Sequence, residues 1–159
     1  MEELCHGCGA CSIACTKGAI TEKEDELGTV NTYSISKFAK SIESRRKGGV
    51  YTPVNVIKAA IKEAGQCPVV ILDSPPGTSC PFIQTVSQAD FVILVTEPTP
   101  FGLSDLKQSV DTLKTLSKKY GVIINKAGLG NRDVYNYLET EKIALLMEIP
   151  FDKEVASIY

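Results

Sequence analysis

The chain has 159 residues, 43% of them hydrophobic, enough for one ordinary core and short for two full domains. Lys and Arg number 17 against 19 Asp and Glu, a formal charge of −2, so the basic excess of a nucleic-acid binder is missing and no such partner is expected. The longest apolar runs, Val69–Leu72 and Phe91–Val95, fall far short of the roughly 20 residues that cross a bilayer. The opening MEELCHGCGAC places acids and cysteines where a leader peptide needs basic and apolar residues, so the expectation is a cytoplasmic protein without a membrane partner.

Residues 1–28 read as one unit: a cysteine-, glycine- and alanine-rich stretch to residue 20, then the charged run Glu22-Lys23-Glu24-Asp25-Glu26 and Leu27-Gly28. Cys5, Cys8, Cys11 and Cys15 have the spacing C-x2-C-x2-C-x3-C. Thiolates at this pitch suit an iron-sulfur cube, with Gly7 and Gly9 letting backbone amides approach its sulfides. Zinc and purely structural thiols are the competing readings; zinc more often uses two separated cysteine pairs. His6 reads as a surface residue, and Cys67 and Cys80 as small buried hydrophobes without chemistry. Residues 29–50 form a connector without a clear pattern, in which Arg45-Arg46-Lys47 reads as a solvated turn.

From residue 51 to 159 the pattern is helices alternating with short apolar strands. Thr52-Pro53, the spacing of Val54, Ile57, Ile61 and Ala64, and Gly65 predict a capped helix. Val69–Leu72, Phe91–Val95 and Val122–Ile124 read as strands buried on both faces, because each is continuously apolar. Ser104-Asp105 opens an amphipathic helix carrying Leu106, Val110, Leu113 and Leu116 on one face. A further helix near Asn131–Glu139, a strand near Ala144–Ile149, and a helix starting at Asp152-Lys153-Glu154-Val155 continue the series. Strand, helix, strand in that order implies a parallel sheet, so the fold class is α/β. In such sheets ligands bind beyond the carboxyl ends of the strands, where the sequence places Asp73-Ser74-Pro75-Pro76-Gly77-Thr78-Ser79-Cys80, Thr96-Glu97-Pro98-Thr99-Pro100-Phe101-Gly102-Leu103, Asn125-Lys126-Ala127-Gly128 and Ile149-Pro150-Phe151-Asp152.

Together these segments resemble the MinD/ParA/nitrogenase iron protein superfamily of P-loop ATPases, in particular its members with an inserted ferredoxin domain. Asp73 through Pro81 and Thr96 through Leu103 carry most of the likeness. The resemblance implies a partial P-loop NTPase-like layer preceded by half of a bacterial-type ferredoxin. It makes Asp73 the magnesium-associated acid and Gly77 a switch residue near the γ-phosphate, counts Thr78 among the nucleotide-binding residues, and puts Asn125 and the Pro150 loop near adenine. In ferredoxins with this cysteine run the first three thiolates hold one 4Fe-4S cluster and the fourth reaches another. Either all four wrap one cluster here, or the missing ligands lie outside the chain; Thr16 also stands where ferredoxins usually carry proline.

Such ATPases need a glycine-rich loop ending in Gly-Lys, and this sequence contains no Gly-Lys dipeptide. Both ends are expected to be truncated. ATP and Mg2+ are therefore expected to bind only with a complementary N-terminal chain, or with a homodimer partner, and hydrolysis by this chain alone is not expected. A redox or Fe-S partner protein is expected as well. Two other readings stand beside this one: an electron-transfer or Fe-S carrier module with the α/β part as scaffold, and a fragment without function.

Overall fold

The computed structural model describes residues 8–50, 52–65 and 67–158. They fall into two compact units, Met1–Ile71 and Leu72–Tyr159.

The first unit begins with the short helix α1 (Ala10–Ala14), preceded by Gly9 in the left-handed region and followed by Cys15, whose N–H bonds to the Cys11 carbonyl. The connector that showed no pattern in sequence is an antiparallel hairpin of β1 (Gly28–Ser34) and β2 (Lys40–Arg46), in register from Gly28↔Arg46 to Ser34↔Lys40. Its turn lacks the Asn-Gly or Asp-Gly signature of a tight hairpin. Instead, the Ser36 hydroxyl accepts from the N–H groups of Phe38 and Ala39 at 3.2 and 3.1 Å, a side-chain turn that is hard to recognise in sequence.

Helix α2 (Val54–Ala64) packs on both strands of this hairpin. Val56 is its buried residue, and Val30, Asn55, Val56 and Ala59 line a shared cleft with Leu27 and Gly28. The expected cap is displaced: Pro53 rather than Thr52 is the N-cap and no side-chain cap bond forms, while Thr52 Oγ1 accepts from the Val54 N–H at 3.4 Å. Pro53 lies just before the first helical residue rather than within it, and Gly65 at φ 63° closes the helix.

The second unit runs through α3 (Cys80–Val86), β3 (Val92–Thr96), α4 (Pro100–Thr115), β4 (Tyr120–Ala127), α5 (Asp133–Glu141), β5 (Leu145–Pro150) and α6 (Lys153–Ile158). Its sheet has the order β3-β4-β5, parallel throughout, as the alternation of strands and helices requires. Helix α4 starts four residues earlier than the apolar spacing suggests, because Thr99 Oγ1 accepts from the Gly102 N–H at 3.0 Å and Pro100 occupies the first turn. Lys118 Nζ donates to the carbonyls of Ser87 and Ala89 at 2.7 and 3.0 Å, satisfying oxygens beyond the end of α3.

The core of this unit joins Phe82 and Val86 of α3, Val92 and Leu94 of β3, Leu106, Val110 and Leu113 of α4, Val122 and Ile124 of β4, and Val134 and Leu138 of α5. All three helices therefore cover the same face of the sheet.

Three expectations are corrected. Cys67 and Cys80, read as buried, are both exposed. Val69–Leu72 forms no strand; Val69 and Ile71 are 78% and 90% exposed. A parallel strand is held by its neighbours' backbone groups, and among the described residues no neighbour pairs with this run. The strands are also not buried on both faces. In β3 the buried residues alternate with exposed Ile93 and Val95, and every residue of β5 is exposed. Continuous apolar sequence signals a two-sided burial that helices on one face do not deliver. Among the described residues no helix is long and apolar enough to cross a membrane.

Candidate functional site

The cysteine segment offers its thiols outward. Cys8 and Cys11 are exposed and Cys15 is half-buried, while Cys5 and His6 lie outside the described residues. Cys8 precedes α1, Cys11 is in its first turn, and Cys15 terminates it. The chain then folds back so that the Ala19 N–H donates to Cys15 Sγ at 3.3 Å. Backbone N–H groups of Ala19 and then Lys17 hold the Cys15 thiol below its ordinary pKa, against the opposing effect of desolvation. Such N–H···S contacts favour the thiolate, the form that binds metal. Ser12 Oγ donates to Glu22 Oε1 at 2.7 Å, tying α1 to the charged stretch after it.

Among the described residues no three His, Cys, Asp or Glu side chains gather into a metal-holding group. Cys8, Cys11 and Cys15 thus do not converge as a trio by themselves. The donors are soft cysteine sulfurs around a short helix, one of which, that of Cys15, has backbone amides turned toward it, a set that fits an iron-sulfur cluster better than a hard cation.

The second group of sequence-selected residues lies in the second unit. Asp73 and Gly77 are exposed and Thr78 is half-buried, in the irregular segment before α3. Gly77 has φ 87°. Asn125 and Pro150, by contrast, are drawn together at the carboxyl edge of the sheet, since β4 pairs with β5 through Asn125↔Ile149 and Ala127↔Pro150. The Phe151 N–H donates to the Ala127 carbonyl at 3.2 Å, and Asn125 Oδ1 accepts from the Lys126 N–H at 3.0 Å.

Between the ends of β3 and β4 stands a pair to which the sequence reading gave no role: Lys126 Nζ lies 2.6 Å from Glu97 Oε1. The available signal was an acid and a lysine placed directly after adjacent parallel strands. The two loops are also joined through their backbones. The fully buried Pro98 accepts the Asn131 N–H on its carbonyl at 3.2 Å. Gly130 passes so close that a Cβ there would collide with the same oxygen. Thr96 Oγ1 donates to the Gly102 carbonyl at 3.0 Å, fixing the start of α4 against the end of β3.

A short helix carrying cysteines and a parallel three-stranded sheet with joined strand-end loops define a cysteine-rich segment followed by an α/β layer. Comparison with known proteins gives a likeness for each. Residues 1–21 match the 4Fe-4S binding domain family, which supports iron-sulfur binding by this segment. The fold is similar to the MinD cell division protein of Aquifex aeolicus, with a TM-score of 0.52 and 22% identity, over 65% of this chain and 48% of that one. Among curated proteins, uncharacterized protein MJ0579 of Methanocaldococcus jannaschii is 29% identical over 174 aligned positions, covering 100% of this chain and 55% of its own length. Uncharacterized protein MJ0578 of the same organism is 33% identical over 88 positions, 55% of this chain and 29% of that protein. The chain thus spans about half or less of the curated relatives it matches.

Proposed function

We propose that this chain is the iron-sulfur-bearing portion of a nucleotide-binding protein of the MinD/ParA type, and that it takes up ATP with Mg2+ only together with further polypeptide. The observation that carries this reading is the joining of a 4Fe-4S segment to a MinD-like sheet whose carboxyl edge brings Asn125 and Pro150 together.

In this reading Cys5, Cys8 and Cys11 hold a 4Fe-4S cluster, with Cys15 either completing it or serving a second one. When bound, the cluster supplies one-electron transfer. The chain's own contribution is to present thiolates. The backbone turn at 15–19 aids this at Cys15, where N–H groups favour the deprotonated sulfur.

At the sheet edge, Asn125 and the Pro150 loop border the base. Asp73 would hold the metal through water, and Gly77 and Thr78 would contact the terminal phosphate. The chain has no Gly-Lys phosphate loop, so in this reading the donors on the β- and γ-phosphates come from outside it.

The test is anaerobic reconstitution followed by titration with Mg-ATP. The expected result is a brown protein with about four irons per assembled site, little nucleotide binding alone, and clear binding once the complementary polypeptide is present. A colourless, zinc-loaded protein would remove the cluster. Cluster uptake without nucleotide binding under any pairing would leave an electron-transfer or cluster-carrier module with the α/β layer as scaffold.

A further inference from the structure

We propose that Glu97 and Lys126 form a clasp across the carboxyl ends of β3 and β4 that sets the orientation of the Asn125 side-chain amide, and with it the purine base this edge prefers. The inference rests on the preceding reading for the identity of the ligand, whereas the clasp itself rests on the strand ends alone.

Lys126 stands outside the sheet ladder. Asn125 pairs with Ile149 and the next pair is Ala127 with Pro150, so Lys126 is an extra residue on β4, a bulge of the kind that re-aims side chains beside functional sites. Its backbone lies in the left-handed region at φ 54°, which is costly for any residue with a Cβ. A lysine stays there only where its contacts hold it. Its N–H donates to Asn125 Oδ1 at 3.0 Å, its carbonyl accepts from the Leu129 N–H at 3.2 Å, and its Nζ lies 2.6 Å from Glu97 Oε1.

The first of these contacts reaches the ligand. A side-chain amide accepts through its oxygen and donates through its nitrogen. With Oδ1 turned to the Lys126 N–H, one lone pair of that oxygen is used, and Nδ2 donates to no group among the described residues. What remains is an acceptor and a donor side by side. That pair matches the N6 and N7 edge of adenine and mismatches guanine, whose O6 and N7 both accept. Turning the amide over would lose the Lys126 bond, so whatever fixes the bulge also fixes the preference.

Glu97 is a firm anchor for the lysine. The two side chains are 41% and 46% exposed, and pairs so exposed are weak where both partners move freely. Here the backbone under the acid is held. The Glu97 carbonyl accepts from the Thr99 N–H at 2.8 Å, and Gly102 passes so close that a Cβ there would collide with the same oxygen. Thr96 Oγ1 donates to the Gly102 carbonyl at 3.0 Å, and the bond from the Asn131 N–H to the Pro98 carbonyl brings the β4 loop back beside the acid. A carboxylate presented by so fixed a loop loses less freedom on pairing.

An ion pair of this exposure biases an equilibrium by no more than about fivefold. Removing either charge should therefore loosen the Asn125 amide by about threefold to fivefold, and removing both should add nothing, because the two act as one contact. Were the pair only a solvated contact, neither change would reach Asn125.

The first measurement uses the 159-residue protein alone, purified anaerobically and followed by NMR. Glu97→Gln and Lys126→Met should each shift the Asn125 NH2 signals and speed exchange of the amide at position 126 about threefold to fivefold, and Lys126→Arg should restore both. The amides of the fully buried Val110 and Val122 should stay as protected as before, which reports that the variants fold. The second uses the protein assembled with its complementary polypeptide and compares Mg-ATP with Mg-GTP by calorimetry. The ATP-to-GTP affinity ratio should fall by the same factor in both variants and recover in Lys126→Arg; a general weakening of the site would lower both affinities alike and leave the ratio unmoved.

Asn125 signals indifferent to both substitutions, effects that add in the double variant, or no recovery in Lys126→Arg would each overturn the inference. An unchanged ratio in a protein that binds both nucleotides would overturn it too. Signals that respond as expected in a chain whose assembled form takes up no nucleotide would uphold the clasp and refute the nucleotide reading.

Discussion

Replacing Gly130 by alanine isolates how the β3 and β4 loops are held at the candidate site. Gly130 has φ 76° and Gly128 has φ 91°, so alanine at either position adopts a left-handed backbone that costs roughly 1–2 kcal/mol. The two positions differ in their surroundings. A Cβ at Gly128 meets nothing within 4 Å, whereas at Gly130 it runs into the Pro98 carbonyl oxygen, the acceptor for the Asn131 N–H. Relieving that collision separates the loops and breaks the bond, which adds about 1 kcal/mol, and it displaces Pro98 from a fully buried position, which adds about as much again.

The expected losses are therefore about 1.5 kcal/mol for Gly128→Ala and about 3.5 kcal/mol for Gly130→Ala. Urea unfolding followed by far-UV circular dichroism measures both, at unchanged m-value. Equal losses at the two positions would refute the argument, because only the collision and the bond distinguish them.

Three further outcomes are expected. Cys8→Ser should leave the α/β unit folded and abolish most iron uptake on anaerobic reconstitution, read by iron analysis and visible absorbance; an unchanged iron content would remove Cys8 from the ligand set. Asp73→Ala in the assembled protein should lower Mg-dependent nucleotide affinity at least tenfold, about 1.4 kcal/mol, with iron content unaltered, and calorimetry showing equal affinities would end its assignment to the metal. Tyr135 donates to Glu148 Oε1 at 2.7 Å, and that bond, followed by burial, raises its pKa above the ordinary 10.0, while burial first of all raises that of Tyr137. The folded chain holds these protons more tightly than the unfolded one, so their contribution is complete below pH 10.0 and is lost as pH rises through the folded values. Unfolding curves on either side of that pH should show a decline that Tyr135→Phe and Tyr137→Phe each flatten.

Local chemistry was legible along the chain. The spacing of Cys5, Cys8, Cys11 and Cys15 marks a cluster-type segment without reference to the rest of the molecule, because the whole motif lies within one short stretch of chain, although its described thiols do not converge by themselves. The helix after Pro53 and the one carrying Leu106, Val110 and Leu113 could be read for the same reason, since a helix's hydrogen bonds and apolar spacing both lie within one short segment.

What depends on distant partners was not legible. The hairpin of Gly28–Ser34 and Lys40–Arg46 was missed because its turn rests on a serine side chain, and Val69–Leu72 misled because an apolar run becomes a strand only where another strand meets it. The Glu97–Lys126 ion pair and the contact of Gly130 with Pro98 join residues on separate loops, and the burial of one sheet face follows from which side α3, α4 and α5 occupy. Sequence by itself determined the elements whose forces are local; the tertiary structure decided pairing, coverage and the convergence of loops, because those energies belong to surfaces that meet only after the chain has folded.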